Sequence, residues 1–198
     1  MTEYSYPLDK MIEGLSNEEY HARPELSCSQ IKTLLKNPYE FLSATKKEAT
    51  ESMNFGSAVH KLILEPHDFN KEFAVMPKYD LRKTADKEAK TAFDAENQGK
   101  IYLSEDVFEN ASHCAAIAKE IAGQFFKDGI AEASFFSELD GVPVRCRPDY
   151  YIESKGLIVD VKTTQDASPD GFLRSIANYG SSYQANRILY SLPFFLLS

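Results

Sequence analysis

Apolar residues recur at helical spacing in two parts of this chain and in short, strand-like runs in a third. Phe55, Val59, Leu62 and Ile63 repeat on one helical face, in a helix expected to begin near Met53 and to end before Pro66. Ser104, with Glu105 and Asp106, has the chemistry of a helix start. The spacing after it predicts a buried face of Val107, Ala111, Cys114, Ala118 and Ile121. Ahead of both, Ser27 or Ser29 is placed to cap a short helix through Gln30–Lys36. Pro38 either stops that helix or starts another through Tyr39, Phe41 and Leu42. Residues 1–25, polar and carrying Pro7 and Pro24, read as extended. Residues 45–52 read as a charged connection, and 77–100 as a loop or a weakly packed helix.

After Gly129 the period changes from helical to alternating. Residues 133–137 are strand-like, Asp140-Gly141 is a strong hairpin signal, and Val142–Tyr151 reads as the return strand. Pro143 and Pro148 imply an edge or irregular pairing there. Ser154-Lys155-Gly156 makes a turn, and Leu157–Thr163 completes a three-stranded antiparallel meander. Ser168-Pro169 starts a helix carrying Phe172, Leu173 and Ile176, Gly180 breaks it, and a last helix runs from about Tyr183 to Leu189. The fold class expected is α/β, with a small mixed sheet containing this meander and flanked by helices. No internal repeat or low-complexity segment interrupts the pattern.

Composition narrows the picture. With 198 residues, 43% apolar and 12% aromatic, the chain reads as one globular domain, 1–198, with 1–50 an extension packed on it. No apolar run is long enough for a membrane span, and the N-terminus lacks the pattern of a secretory signal; a cytoplasmic protein is expected. Cys28, Cys114 and Cys146 are too scattered for a disulfide framework or a zinc site, and too few for a four-cysteine iron–sulfur cluster; buried reduced thiols are expected. The net charge of -8 argues against a broadly basic binding surface. It leaves room for DNA as a substrate, because carboxylates that hold divalent metals make a site acidic.

The candidate chemistry centres on Asp160-Val161-Lys162, which follows the apolar run Leu157-Ile158-Val159. They read as one strand, which puts Asp160 and Lys162 on the same face. Alone, such a triplet is more often a surface ion pair. Its apolar setting changes the balance, since a buried strand rarely carries charges without a partner or a metal. Asp149, eleven positions upstream in Arg147-Pro148-Asp149, falls on the adjacent strand of the meander. Two close carboxylates repel, and a divalent cation relieves the repulsion. Asp149, Asp160 and the Val161 carbonyl are therefore candidate ligands for Mg²⁺, with Mn²⁺ a substitute. Lys162 is a candidate for orienting water or offsetting charge on a phosphodiester under attack. A second metal would need another acidic ligand; Glu132 is the first choice and Glu138 the next. His60 borders the apolar stripe of its helix, where a lone histidine is usually structural. Gly56, one turn earlier, leaves room for the close approach of a ligand backbone. Gln184 on the last helix is ordinarily solvent-facing.

These segments together resemble the PD-(D/E)XK nuclease superfamily, in particular the exodeoxyribonuclease VIII (RecE-type) exonucleases of phages and prophages. The resemblance covers nearly the whole chain. It rests on Asn17–His21 with Leu26-Ser27, on Phe55–His60 with Leu64-Glu65-Pro66, on Arg147-Pro148-Asp149, on Val159–Thr164, and on Asp166–Gly180 with Gln184. It implies a restriction-endonuclease-like core and a Mg²⁺-dependent exonuclease acting 5′→3′ on double-stranded DNA ends in recombination. The implied site is His60, Asp149, Asp160 and Lys162, with Gln184 auxiliary. The implied partners are a single-strand annealing protein and, as a ring, further copies of the chain. Two features depart from the family: Ile188 stands where it has a tyrosine, the next being Tyr190, and its domain continues past the last helix. The apolar tail Leu192–Leu197 is expected to pack on the core or at a subunit interface, or to mark a shortened gene. The rival readings are an inactive nuclease fold that binds DNA ends or an annealing protein, and an endonuclease of the same superfamily.

Overall fold

The computed structural model describes residues 10–43, 49–166, 168–171 and 173–174. They divide into two compact units. The first holds 10–43, 128–160 and the described part of 164–174; the second holds 49–127 and 161–163.

In chain order, the first unit opens with β1 (Lys10–Ile12) and α1 (Asn17–Ala22). The extended reading of 1–25 is therefore corrected over Asn17–Ala22. The physical reason is a capping box: Ser16 Oγ accepts from the Glu19 N–H at 3.2 Å, and the Glu19 carboxylate accepts from the Ser16 N–H at 3.1 Å. β2 (Leu26–Ser27) leads into α2 (Cys28–Lys36), capped by Ser27, one of the two serines expected there, and Asn37 caps α3 (Pro38–Leu42).

The second unit is built around two helices. Thr50 caps α4 (Glu51–Leu64), which buries Ala58, Val59 and Ile63. A 3₁₀ turn at Pro66–Asp68 and the short α5 (Phe69–Glu72) follow, and then β3 (Phe73–Met76). Phe69 and Phe73 stack with ring centroids 4.9 Å apart. α6 (Thr84–Glu96) buries none of its residues, so the weakly packed helix is the outcome for that stretch. β4 (Ile101–Ser104) pairs in parallel with β3, joining two segments that the sequence pattern left unassigned. Ser104 caps α7 (Glu105–Ala122). The predicted face of α7 is corrected: Ala111 and Ala115 are buried, Val107, Phe108 and Ala118 pack beside them, but Cys114 is exposed and Ile121 is 74% exposed. Two alanines let α7 lie close to α4, and the contact stripe follows them past Cys114.

The chain then returns to the first unit through β5 (Ile130–Ala131), β6 (Ser134–Leu139) and β7 (Val142–Cys146). Asp140 (φ 52°) and Gly141 (φ 79°) both lie in the left-handed region, the type I′ geometry that matches strand twist. β1, β6, β7 and β2 form a mixed sheet in that order, antiparallel except for the β2–β7 pair. The predicted return strand breaks at Arg147-Pro148-Asp149. Beyond the break, β8 (Tyr150–Ile152) pairs with β5 and with β9 (Leu157–Val159), all antiparallel. The meander is thus divided between two sheets, because Pro148 has no N–H to carry the ladder through. The third strand ends at Val159, before Asp160 and Lys162. Val161 packs instead against the apolar cluster of α4 and α7 in the second unit. A mixed α/β architecture with sheets flanked by helices is the result.

Of the thiols, Cys146 is buried, Cys28 half-buried and Cys114 exposed, and none of the three is in a disulfide. Among the described residues no helix is long and apolar enough to cross a membrane.

Candidate metal centre

The β8–β9 pairing runs up to the two central carboxylates. Tyr150 pairs with Val159, and Tyr151 with Ile158. The pairing ends there, and Asp149 and Asp160 each lie one residue beyond the last pair. Asp149 is half-buried and Asp160 exposed.

Glu132 is tied to Asp149 through the backbone. Its N–H donates to the Asp149 carbonyl at 3.1 Å, and its carboxylate lies 3.6 Å from Arg147 Nη1. Its φ of 53° is left-handed, unusual for a glutamate. Glu138 is exposed and pairs with Pro143 near the Asp140-Gly141 turn. Phe135, by contrast, pairs with Cys146 next to the break. Glu138 therefore sits at the opposite end of the hairpin from Asp149. Among the described residues, no three His, Cys, Asp or Glu side chains converge closely enough to hold a metal ion.

The second unit carries His60 and Lys162. His60 is half-buried on α4, next to buried Val59. Lys162 is exposed, and its Nζ lies 3.4 Å from the Val161 carbonyl oxygen, the same oxygen expected to serve as a metal ligand. Gly56 has a clear structural use. A Cβ there would stand 3.2 Å from Thr163 Oγ1, so the close approach that the glycine allows is made by this chain's own segment 161–163. Gln184, Ile188, Tyr190 and the apolar tail lie outside the described residues.

Arg147 is a residue that sequence reasoning did not single out. Its side chain is only 8% exposed. Nε donates to Ser134 Oγ, Nη1 to Asn17 Oδ1 and Nη2 to the Leu15 carbonyl, each at 2.8 Å. Its guanidinium carbon lies 4.1 Å from the centre of the Tyr20 ring. Arg145 stacks on the same ring at 4.9 Å and donates to the Arg23 carbonyl. Burial pushes the Tyr20 hydroxyl well above the usual phenol range. The sequence signal was an arginine beside a proline and an aspartate; its partners come from segments 13 to 132 positions away.

Residues 27–190 match the family described as a PDDEXK-like domain of unknown function, DUF3799. The chain belongs to this family. No curated protein matches it. The PDDEXK-like assignment suggests a nuclease-type function. Carboxylates, as hard oxygen donors, suit Mg²⁺ or Mn²⁺. In this DUF3799 chain the carboxylates nearest the end of the β8–β9 pairing are Asp149 and Asp160, and no three-carboxylate cage occurs among the described residues.

Proposed function

We propose that this protein is a Mg²⁺-dependent DNA exonuclease that hydrolyses phosphodiester bonds at double-stranded ends, as its resemblance to RecE-type enzymes implies. The observation that supports the reading is the PDDEXK-like family match, in a chain whose β8–β9 pairing ends one residue short of both Asp149 and Asp160. In this reading Asp149 and Asp160 hold the metal. A bound Mg²⁺ supplies Lewis-acid activation and charge neutralisation at the scissile phosphate. Lys162, a compact and strongly hydrated point charge, orients the attacking water or offsets charge building on the phosphoryl oxygens. His60 assists from α4. The substrate is double-stranded DNA, with a single-strand annealing protein as partner in recombination and further copies of the chain forming a ring.

The test compares linear with closed circular duplex in Mg²⁺. Loss of linear DNA with the circle left intact supports the exonuclease. Cleavage of both makes the protein an endonuclease, and cleavage of neither by folded protein sinks both enzymatic readings.

A further inference from the structure

The segment Arg147-Pro148-Asp149 is fixed from several directions, and the groups that fix it belong to no assigned site. Arg147 spends three donors on three acceptors from separate segments: Ser134 Oγ, Asn17 Oδ1 and the Leu15 carbonyl, each at 2.8 Å. Its planar fork lies against Tyr20, itself 7% exposed. Pro148, with its φ fixed by the ring, is among the fully buried side chains. The Glu132 N–H holds the Asp149 carbonyl at 3.1 Å, while the Glu132 carboxylate lies 3.6 Å from Arg147 Nη1. Glu132 does this from a left-handed backbone conformation. A non-glycine residue kept there is over-determined by its surroundings, a condition common beside functional sites.

We propose that Arg147 and Glu132 are positioning residues that hold the Asp149 carboxylate in place for a divalent metal, with Glu132 acting through Arg147 and the Asp149 backbone and not as a ligand. The inference rests on the reading of Asp149 as a metal ligand. A preset carboxylate loses little freedom when the cation arrives, which is how outer-shell partners raise metal affinity. Lysine cannot replace Arg147, because an ammonium lacks the flat fork that meets three acceptors and an aromatic face together.

The experiment measures Mn²⁺ affinity by calorimetry, thermal midpoint, and turnover on linear duplex at rising Mg²⁺, for the wild type and for Arg147→Lys, Asn17→Ala, Glu132→Gln and the Arg147→Lys/Glu132→Gln double variant. Arg147→Lys is expected to weaken Mn²⁺ binding by about 10–100-fold, with turnover recovering at high Mg²⁺. Asn17 is exposed and lies at the outer end of the network. Its variant keeps the fold and shifts Mn²⁺ affinity in the same direction by a smaller factor, so the test stands even if Arg147→Lys does not fold. The double variant should bind no worse than Arg147→Lys alone, as expected for two residues acting through one group. Losses that add instead make Glu132 a direct ligand and overturn its positioning role. Folded variants that all bind Mn²⁺ like the wild type overturn the clamp alone. A wild type that binds no Mn²⁺ overturns the metal reading of Asp149 and the clamp with it.

Discussion

Gly56 and Thr163 meet where a side chain on the glycine would come within 3.2 Å of the threonine hydroxyl. The glycine lies mid-helix, where it costs about 1 kcal/mol relative to alanine. It is one turn from His60, and the threonine follows Lys162. Gly56→Ala should therefore keep or slightly raise the thermal midpoint, because Thr163 is exposed on an irregular segment and can give way. Turnover should fall about tenfold as Lys162 moves with its neighbour. Thr163→Ala in the same chain should restore most of it; a double variant no better than Gly56→Ala alone would show that the contact does not matter.

Asp160→Ala should abolish metal binding and cleavage and leave the fold intact, since Asp160 is exposed outside any strand. Lys162→Ala should keep Mn²⁺ affinity within about twofold but lose about 10²-fold or more in turnover. Calorimetry with single-turnover cleavage separates the two effects. An unchanged rate in Lys162→Ala removes the lysine from the chemistry.

Ala58 and Ala111 are both fully buried, on α4 and α7 respectively. The two helices approach closely because these side chains are small. Ala111→Leu should cost about 1–3 kcal/mol by overpacking, read as a lowered midpoint in urea. No loss would mean that the interface has slack.

Ser16→Ala removes the cap of α1, the helix that supplies Asn17 and Tyr20 to Arg147. The expected loss is about 1 kcal/mol at neutral pH. Hydrogen bonds from the Ser16 side chain and backbone hold the Glu19 carboxyl below its ordinary range. A group lowered on folding stabilises above its unfolded pKa and loses that contribution as pH falls through the folded one. The difference between wild type and Ser16→Ala should therefore shrink on acidification, as measured by denaturant curves at neutral and acid pH. A constant difference would place Glu19 outside the cap.

The sequence pattern carried the elements whose signals are local. α4 shows its period, α2 and α7 their serine caps, and the β6–β7 hairpin its Asp140-Gly141 turn. Elements that depend on distant partners were hidden. β3 and β4 are four residues each and satisfy one another across the intervening α6. α1 had its capping box in plain view at Ser16 and Glu19, but six residues between prolines show no period. The break at Pro148 was signalled as irregular pairing, yet its result, a strand shared between two sheets, depends on β5 arriving to pair with β8. At the site, the antiparallel pairing that leads toward Asp149 and Asp160 was legible by counting along the meander, but the end of β9 at Val159 was not. Nor was the setting of Glu132, since it follows from a left-handed backbone and a buried arginine.

The central claim is that Asp149 and Asp160 together hold a divalent cation. A crystal soaked in Mn²⁺ tests it most directly. Anomalous density bridging the two carboxylates is the predicted result. Density elsewhere, or none at a Mn²⁺ concentration that supports cleavage, contradicts it.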